Sequence, residues 1–226
     1  MGVNKDPKYS VEGSLTAIRA REKLLSYSEH DRELVGRIID EVNSKGYYIQ
    51  YLFQLQWMDK DDFEIINDII IKYSLQFESK RAKYSLLWTL GKRGNYGATE
   101  FLLEQFRKPN DYEENMGWNF SRRGMCSSAL LGIRDKSKID DYIEIIKNEN
   151  TRQDSFCFIL MLGELKYDKA SPLLIELLKE DNTDLQSAAI QTLAKFKNKI
   201  DLNPIMAPFL LSDNKVIRDN AKKALK

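Results

Sequence analysis

The residues able to do acid–base, redox or metal chemistry are few in this sequence. It holds one histidine and two cysteines among 226 residues. His30 lies in a run of charged residues and has no second histidine or cysteine nearby to share a metal ion. Cys126 and Cys157 each fall inside an apolar helical pattern, which favours two buried thiols over a redox pair.

Carboxylates occur in adjacent pairs, but at a spacing that does not suit general acid–base catalysis. Asp61-Asp62 and Asp140-Asp141 are neighbours in sequence, so on a helix their side chains point about 100° apart. The sequence also has no glycine-rich phosphate loop, no Ser/His/Asp arrangement and no clustered set of metal ligands. We therefore expect no catalytic residue, no metal site and no cofactor, and the sequence favours a protein that is not an enzyme.

The elements that carry these residues form an internal repeat. Five segments end in leucine, usually followed by a small residue: Leu90-Gly91, Leu131-Gly132, Leu162-Gly163, Leu193-Ala194 and Leu225-Lys226. These leucines are 41, 31, 31 and 32 residues apart. A period in the low thirties is typical of stacked pairs of short helices. The glycines are interpreted as left-handed helix C-caps.

A second helical pattern follows each leucine, with Pro172, Pro204 and Pro208 near its start, and Pro208 deep enough to shorten or kink its helix. We expect an all-α fold, an α-α superhelix of about five to six helix pairs. Residues 80–226 are predicted to form the repeats, and residues 1–79 to form capping helices or degenerate repeats. Within that N-terminal part, helices are expected at 15–25, 31–44, 47–57 and 61–77, and the aromatic cluster at 47–57 is expected in the core, with some rings free to bind.

The last repeats carry a recognisable motif. Residues 213–225 run from Asp213 through Ile217 and Arg218 to Ala224-Leu225. This pattern resembles the HEAT repeat in its phycobilisome-lyase form. A second copy begins at Asp184 and has Gln186 in place of the arginine. The resemblance covers roughly residues 80–226 and implies that Asp184 and Arg218 tie neighbouring repeats together, so it identifies a fold rather than an activity.

Charge is balanced overall but separates by helix type. Lys and Arg number 35 and Asp and Glu 34, for a net charge of +1, without the excess that marks a nucleic-acid partner. Summed over the chain, the first-helix segments carry a net positive charge and the second-helix segments a net negative charge. Because second helices usually line the concave face of HEAT-type solenoids, the resemblance implies an acidic concave face suited to a basic protein, containing Glu104, Glu144, Glu176 and Glu180. The alternative is an ordinary solvated face, in which helix dipoles account for part of the asymmetry.

The segment 108–123 accounts for the wider spacing between Leu90 and Leu131. Long connections inside compact repeats are uncommon and often functional. Aromatic and arginine side chains dominate binding hot spots, which makes binding candidates of Tyr112, Trp118, Arg122 and Arg123. The alternative is that Trp118 and Phe120 pack as a lid over the ends of adjacent helices.

Together these features predict a non-enzymatic protein-binding adaptor or inhibitor that uses the acidic concave face and the 108–123 loop. In these features the chain is similar to immunity proteins and to regulatory adaptors of bacterial HEAT-like families. The alternative is a nucleic-acid-binding module resembling the HEAT-like alkylpurine DNA glycosylases, although no residue aligns with their catalytic aspartate. Its basic-aromatic patch would contain Trp88, Lys92, Arg93, Trp118, Arg122 and Arg123. The repeat motif alone would suggest chromophore handling. A polar start and short apolar runs predict a cytoplasmic protein with no membrane contact.

Overall fold

The structure is a computed structural model that describes residues 15–111 and 121–226. Within these residues all regular structure is helical and no strand is present. The predicted all-α class is therefore confirmed. The chain divides into two compact units, Met1–Ile133 and Arg134–Lys226. The predicted boundary between capping helices and repeats, at residue 80, stays a prediction.

The described part of the first unit consists of α-helices and short 3₁₀ turns. Consecutive helices pack against each other from α2 to α4, and α6 packs against both α4 and α5. The bounds are α1 (Leu15–Leu25), α2 (Glu29–Ser44), α3 (Lys60–Ser74), α4 (Lys80–Thr89), α5 (Thr99–Arg107) and α6 (Arg122–Ile133), with 3₁₀ helices at Leu52–Trp57 and Tyr96–Ala98.

The segment 47–57 does not form the α-helix that the sequence suggested. The backbone of Tyr51 is extended, and the chain then makes the 3₁₀ helix Leu52–Trp57. Gln54 holds this start, because its side-chain oxygen accepts hydrogen bonds from the amides of Gln50 (2.7 Å) and Tyr51 (2.8 Å). Without α-helical spacing the aromatic rings of the segment do not share a buried face, and none of them is fully buried. The expectation that this cluster lies in the core was wrong.

Asp31 connects the start of α2 to the start of α4. Its side chain is buried, and its two carboxylate oxygens accept hydrogen bonds from the backbone amides of Glu78 (2.8 Å) and Ser79 (2.9 Å). These amides precede α4, where helical partners are missing. The bond therefore couples two segments that are almost fifty residues apart in sequence.

The second unit repeats one packing relation. The first helices of its pairs lie side by side, α9 on α11 and α11 on α13, while α10 packs on α11. The bounds are α7 (Ile139–Lys147), α8 (Glu149–Arg152), α9 (Phe156–Glu164), α10 (Ser171–Leu177), α11 (Thr183–Ala194), α12 (Asn203–Met206) and α13 (Lys215–Ala224), with 3₁₀ helices at Lys136–Lys138, Asp168–Ala170 and Ala207–Leu211.

The three prolines of the second unit lie near helix starts, as predicted. Pro172 and Pro204 lie in the first turns of α10 and α12, where a missing N–H costs least. Pro208 lies one turn further and cannot donate the next helical hydrogen bond. The α-helix accordingly ends at Met206 and continues as a 3₁₀ helix.

The glycines that follow the repeat leucines serve close packing rather than C-capping. Gly94, Arg134 and Lys166, a few residues later, take the left-handed conformation instead. A Cβ atom on Gly132 would lie 2.1 Å from the carbonyl oxygen of Gly91, and one on Gly91 would lie 2.7 Å from the Cα of Ala129. The ends of α4 and α6 therefore approach backbone to backbone, and the C-cap interpretation was wrong.

Polar side chains bind the free carbonyl oxygens at the ends of two second helices in the second unit. Gln186 donates from Nε2 to the carbonyl oxygens of Leu178 (3.1 Å) and Glu180 (2.8 Å). Arg218 donates to the carbonyl oxygen of Ser212 at 2.5 Å. Both satisfy backbone acceptors beyond the end of a helix, where intrahelical donors have run out. The structural role predicted for Arg218 is confirmed, and glutamine performs it at position 186.

Neighbouring repeats are tied by asparagines rather than by Asp184. Asn182 caps α11 by accepting from the amides of Asp184 and Leu185, and its amide group donates to Gln153. Asn214 caps α13 in the same way, and its amide group donates to the hydroxyl of Thr183 at 3.0 Å. The link that the resemblance assigned to Asp184 falls two residues earlier.

Both cysteines are buried and neither forms a disulfide. Burial raises the pKa of the Cys126 thiol to about 12. At neutral pH this thiol is therefore protonated, which makes it a poor nucleophile.

Candidate functional site

The ends of the 108–123 segment are held together by a half-buried polar cluster. The Asp111 carboxylate accepts from the Tyr84 hydroxyl, from the backbone amide of Arg122 (3.2 Å) and from its guanidinium (3.3 Å). Arg122 is thus ion-paired within the fold. Tyr112 and Trp118 lie outside the described residues.

Arg123 has the same structural task as Gln186 and Arg218. Only 8% of the residue is exposed. Its Nε donates to the carbonyl oxygens of Phe106 (3.1 Å) and Lys108 (3.3 Å), beyond the end of α5, and its guanidinium lies 5.6 Å from the centre of the Phe106 ring. A side chain used in this way is not available to a partner, so the structure argues against Arg123 as a binding residue.

The four predicted acidic residues differ in their surroundings. Glu104, Glu144 and Glu176 are exposed, on α5, α7 and α10 respectively. Glu104 pairs with Lys108 one helical turn later at 3.1 Å, a solvated contact of little energetic weight. Glu180 is half-buried and accepts from Arg152 at 2.9 Å. Arg152 also donates to carbonyl oxygens at the end of α7, so Glu180 belongs to the internal polar links.

The basic-aromatic patch proposed for nucleic acid is brought together only in part. Trp88 and Arg93 are exposed. Lys92 donates from Nζ to the carbonyl oxygen of Gln56 at 2.9 Å. Arg122 is neutralised by Asp111 and Arg123 is buried. Two of the four cations of that patch therefore do not face a phosphate backbone.

Trp88 instead lines a cleft of about 230 Å³ in the first unit, which we call the aromatic cleft. The cleft brings together α1, the 3₁₀ helix Leu52–Trp57, α4 and α6. Its apolar walls are formed mainly by Tyr27, Leu52, Phe53, Leu86, Trp88 and Met125. A smaller recess of about 100 Å³ shares Tyr27 and Phe53 and extends between α1 and α2. Trp88 is 44% exposed although its neighbours Leu86 and Leu87 are buried.

An ordered row of rings continues the aromatic cleft. The rings of Tyr51 and Phe53 stack with centroids 5.6 Å apart, and Trp57 meets Phe53 edge to face at 5.3 Å. Arg21 orients the row by donating from Nε to the Tyr51 hydroxyl at 2.7 Å. Rings that hold each other in this way lose little further freedom when a ligand binds.

The aromatic cleft is cationic at its edge. Lys23 lies at the junction of the cleft and the smaller recess. Although the residue is exposed, protein atoms displace part of the water around its ammonium, and this loss of water, together with repulsion from Arg81, lowers the pKa of Lys23. Among the described residues, no aspartate or glutamate lines either space. The edge therefore carries positive charge without a lining counter-ion.

The sequence did not reveal this cleft, because its walls come from four separate segments spread between Lys23 and Met125. The available signal was the aromatic cluster at 47–57, which had no convincing helical spacing. Among the described residues, no group of three or more His, Cys, Asp or Glu is placed to hold a metal ion. No described helix is both long enough and apolar enough to cross a membrane.

Comparison with known proteins finds a family match in the second unit. Residues 139–226 match the family model of HEAT repeats. Comparison with curated proteins gives no match. Among solved structures, a designed armadillo repeat protein is 13% identical, with a TM-score of 0.46 over 90% of this chain and 96% of the other. Another, in complex with the peptide (KR)4, is 13% identical, with a TM-score of 0.47 over 94% of each chain.

The residues that match the family form helices that pack in a repeating pattern. Residues 139–226 contain α7 to α13, in which first helices pack side by side and polar side chains close the second helices. Residues 139–226 are therefore similar to HEAT repeats, and the regular structure of the described residues is helical throughout.

Proposed function

We propose that this protein is a non-enzymatic protein-binding scaffold, an adaptor or inhibitor that holds a segment of its partner in the aromatic cleft. The observation that carries the proposal is that Trp88, although exposed, lines the aromatic cleft together with Phe53, whose ring packs against Trp57. Tryptophan and tyrosine supply much of the binding energy at protein interfaces. Contiguous exposed apolar surface in a soluble protein commonly marks such an interface.

The size of the aromatic cleft supports a peptide segment rather than a cofactor. A volume of about 230 Å³ lies below the roughly 300–1,000 Å³ typical of pockets for drug-sized ligands. Space for one or two side chains suits an anchor residue of a partner chain. The Ser85 and Thr89 hydroxyls in the cleft donate to helix carbonyl oxygens, which leaves the apolar walls to make the main contact.

Exposed carboxylates form the second part of the proposal. Glu104, Glu144 and Glu176 present charge on second helices of the repeats and would attract a partner with a basic surface. The proposal does not include Glu180, Arg123 or Arg122 as binding residues, because each makes contacts within the fold. Glu180 pairs with Arg152, Arg123 binds the carbonyl oxygens at the end of α5, and Arg122 pairs with Asp111. The likeness of residues 213–225 to the phycobilisome-lyase form concerns the fold and does not support a role in binding chromophores.

A peptide selection tests whether the aromatic cleft binds protein segments. We expect a random peptide library displayed on ribosomes or phage to yield sequences enriched on the wild-type protein. Trp88→Ala should weaken these peptides by about 30-fold, the cost of truncating an interface hot spot. Tyr96→Ala is the matched control, because Tyr96 is also an exposed ring of the first unit but does not line the cleft. Binding should be measured by fluorescence anisotropy.

Two results would contradict the proposal. The library could give no enriched sequence on the wild-type protein. Alternatively, the enriched peptides could bind the Trp88→Ala and Tyr96→Ala variants equally well. Circular dichroism and thermal melting of both variants show whether any loss of binding is a loss of folding.

A further inference from the structure

The charge of the aromatic cleft is opposite to that of the second-helix carboxylates. Lys23 lies at its edge, and the loss of water around its ammonium, with a smaller contribution from Arg81, lowers the pKa of Lys23. The Lys23 ammonium borders the apolar walls of both spaces, where an anion of a bound ligand would stabilise its charge. Within the described residues no carboxylate of the cleft lining supplies such an anion.

The walls of the aromatic cleft also favour a ligand that carries an apolar group. Phe53, Leu86 and Trp88 enclose the larger space, and Leu24 and Val35 line the smaller recess. Lys23 borders both spaces, so a ligand that fills either one brings its neighbouring groups close to this ammonium. The arrangement suits a chain that carries a large apolar side chain with a carboxylate one or two residues away.

We infer that the aromatic cleft binds an acidic peptide segment, in which a large apolar side chain enters the cleft and a flanking carboxylate pairs with Lys23. This inference rests on the proposed function and assigns its partner chemistry. A phosphate-bearing strand would satisfy Lys23 as well. Peptide is favoured because the arginines that would extend a cationic track, Arg122 and Arg123, are ion-paired and buried respectively.

Defined probes test the inference on the full-length protein. The first probe is a labelled peptide with a phenylalanine flanked by glutamates; the second has glutamines in their place; the third has lysines; the fourth is a labelled single-stranded oligothymidine. We expect the glutamate peptide to bind about tenfold more tightly than the glutamine peptide, and to lose this advantage as salt rises. The lysine peptide and the oligothymidine should bind more weakly than the glutamate peptide.

Charge reversal at Lys23 provides the decisive comparison. Lys23→Glu should abolish the preference for the glutamate peptide and favour the lysine peptide. Lys45→Glu makes the same change of charge on an exposed residue at the end of α2 that lines neither space, and should leave the preference intact. Trp88→Ala should weaken the glutamate and glutamine peptides alike, because it removes the apolar wall that both use.

The outcomes separate this inference from the proposed function. If peptides bind in a Trp88-dependent manner without regard to charge, the acidic partner is wrong and the protein-binding role stands. If the oligothymidine binds more tightly than every peptide and depends on Lys23, the inference is overturned in favour of nucleic acid. If no probe binds and sedimentation shows self-association that Trp88→Ala removes, the occupant is a second copy of this chain and the inference is overturned.

Discussion

Gly132→Ala should lower the free energy of unfolding by about 1–3 kcal/mol or more, the range for forcing extra atoms into a packed interior. The new Cβ atom would lie 2.1 Å from the carbonyl oxygen of Gly91, and a backbone atom cannot turn aside as a flexible side chain does. The ends of α4 and α6 would have to separate. For a chain of this length, each kcal/mol lowers the melting temperature by roughly 2–4 °C.

Gly36→Ala is the control for this substitution. Gly36 lies within α2, and a Cβ atom there would meet no atom within 4 Å. Alanine loses less backbone freedom than glycine on folding, so this variant should be more stable by about 0.4–1 kcal/mol. Thermal or urea unfolding followed by circular dichroism measures both. Equal melting temperatures for the two variants would contradict the backbone contact between α4 and α6.

Asp31→Ala should destabilise the first unit by about 3–6 kcal/mol, because hydrogen bonds to a charged group contribute roughly 1.5–3 kcal/mol each and two are lost. The amides of Glu78 and Ser79 would lose their acceptor at the start of α4. Hydrogen exchange should accelerate at these two amides before the chain unfolds globally.

Asp40→Ala tests the same change of charge on the same helix. Asp40 is exposed on α2, so its removal should change the free energy of unfolding by less than about 0.5 kcal/mol, as for most surface substitutions. If Asp31→Ala and Asp40→Ala unfold alike, Asp31 does not join α2 to α4 in the way described.

Periodicity was sufficient to predict most of the helices. The leucine spacing located α4, α6, α9, α11 and α13, and the pattern after each leucine located the second helices. Pro208 was expected to shorten its helix, and the α-helix ends at Met206. These features depend on local sequence and on the apolar face of each helix, which a single chain displays.

Other features depend on contacts between distant segments and were not predictable in this way. Gly132 follows a helix-ending leucine, as a C-cap glycine does, but its role depends on the close approach of the Gly91 backbone. The local sequence around Gly132 does not indicate that contact. Arg123 had the composition of a binding hot spot, but the end of α5 lies beside it and binds its guanidinium. The aromatic rings at 47–57 are not in the core, because the Gln54 side chain stabilises an extended backbone at Tyr51 that leads into a 3₁₀ helix instead of an α-helix.

The candidate site was predicted in part for the same reason. Exposed carboxylates on second helices follow from helix periodicity, and Glu104, Glu144 and Glu176 are indeed exposed. The aromatic cleft combines Tyr27, Phe53, Trp88 and Met125, residues from four separate segments that only the tertiary fold brings together. The proposed scaffold therefore has an acidic set of residues that the sequence suggests and an apolar, cationic cleft that the structure adds.

The central claim is that the aromatic cleft is where a partner segment binds. The most direct measurement is photo-crosslinking with a selected peptide that carries a benzophenone in place of its anchor side chain, followed by mass spectrometry of the digested complex. We expect attachment to residues 52–57, residues 80–89 and Met125, and competition by the unmodified peptide. Attachment confined to residues 134–226, or attachment unaffected by the competitor, would contradict the claim.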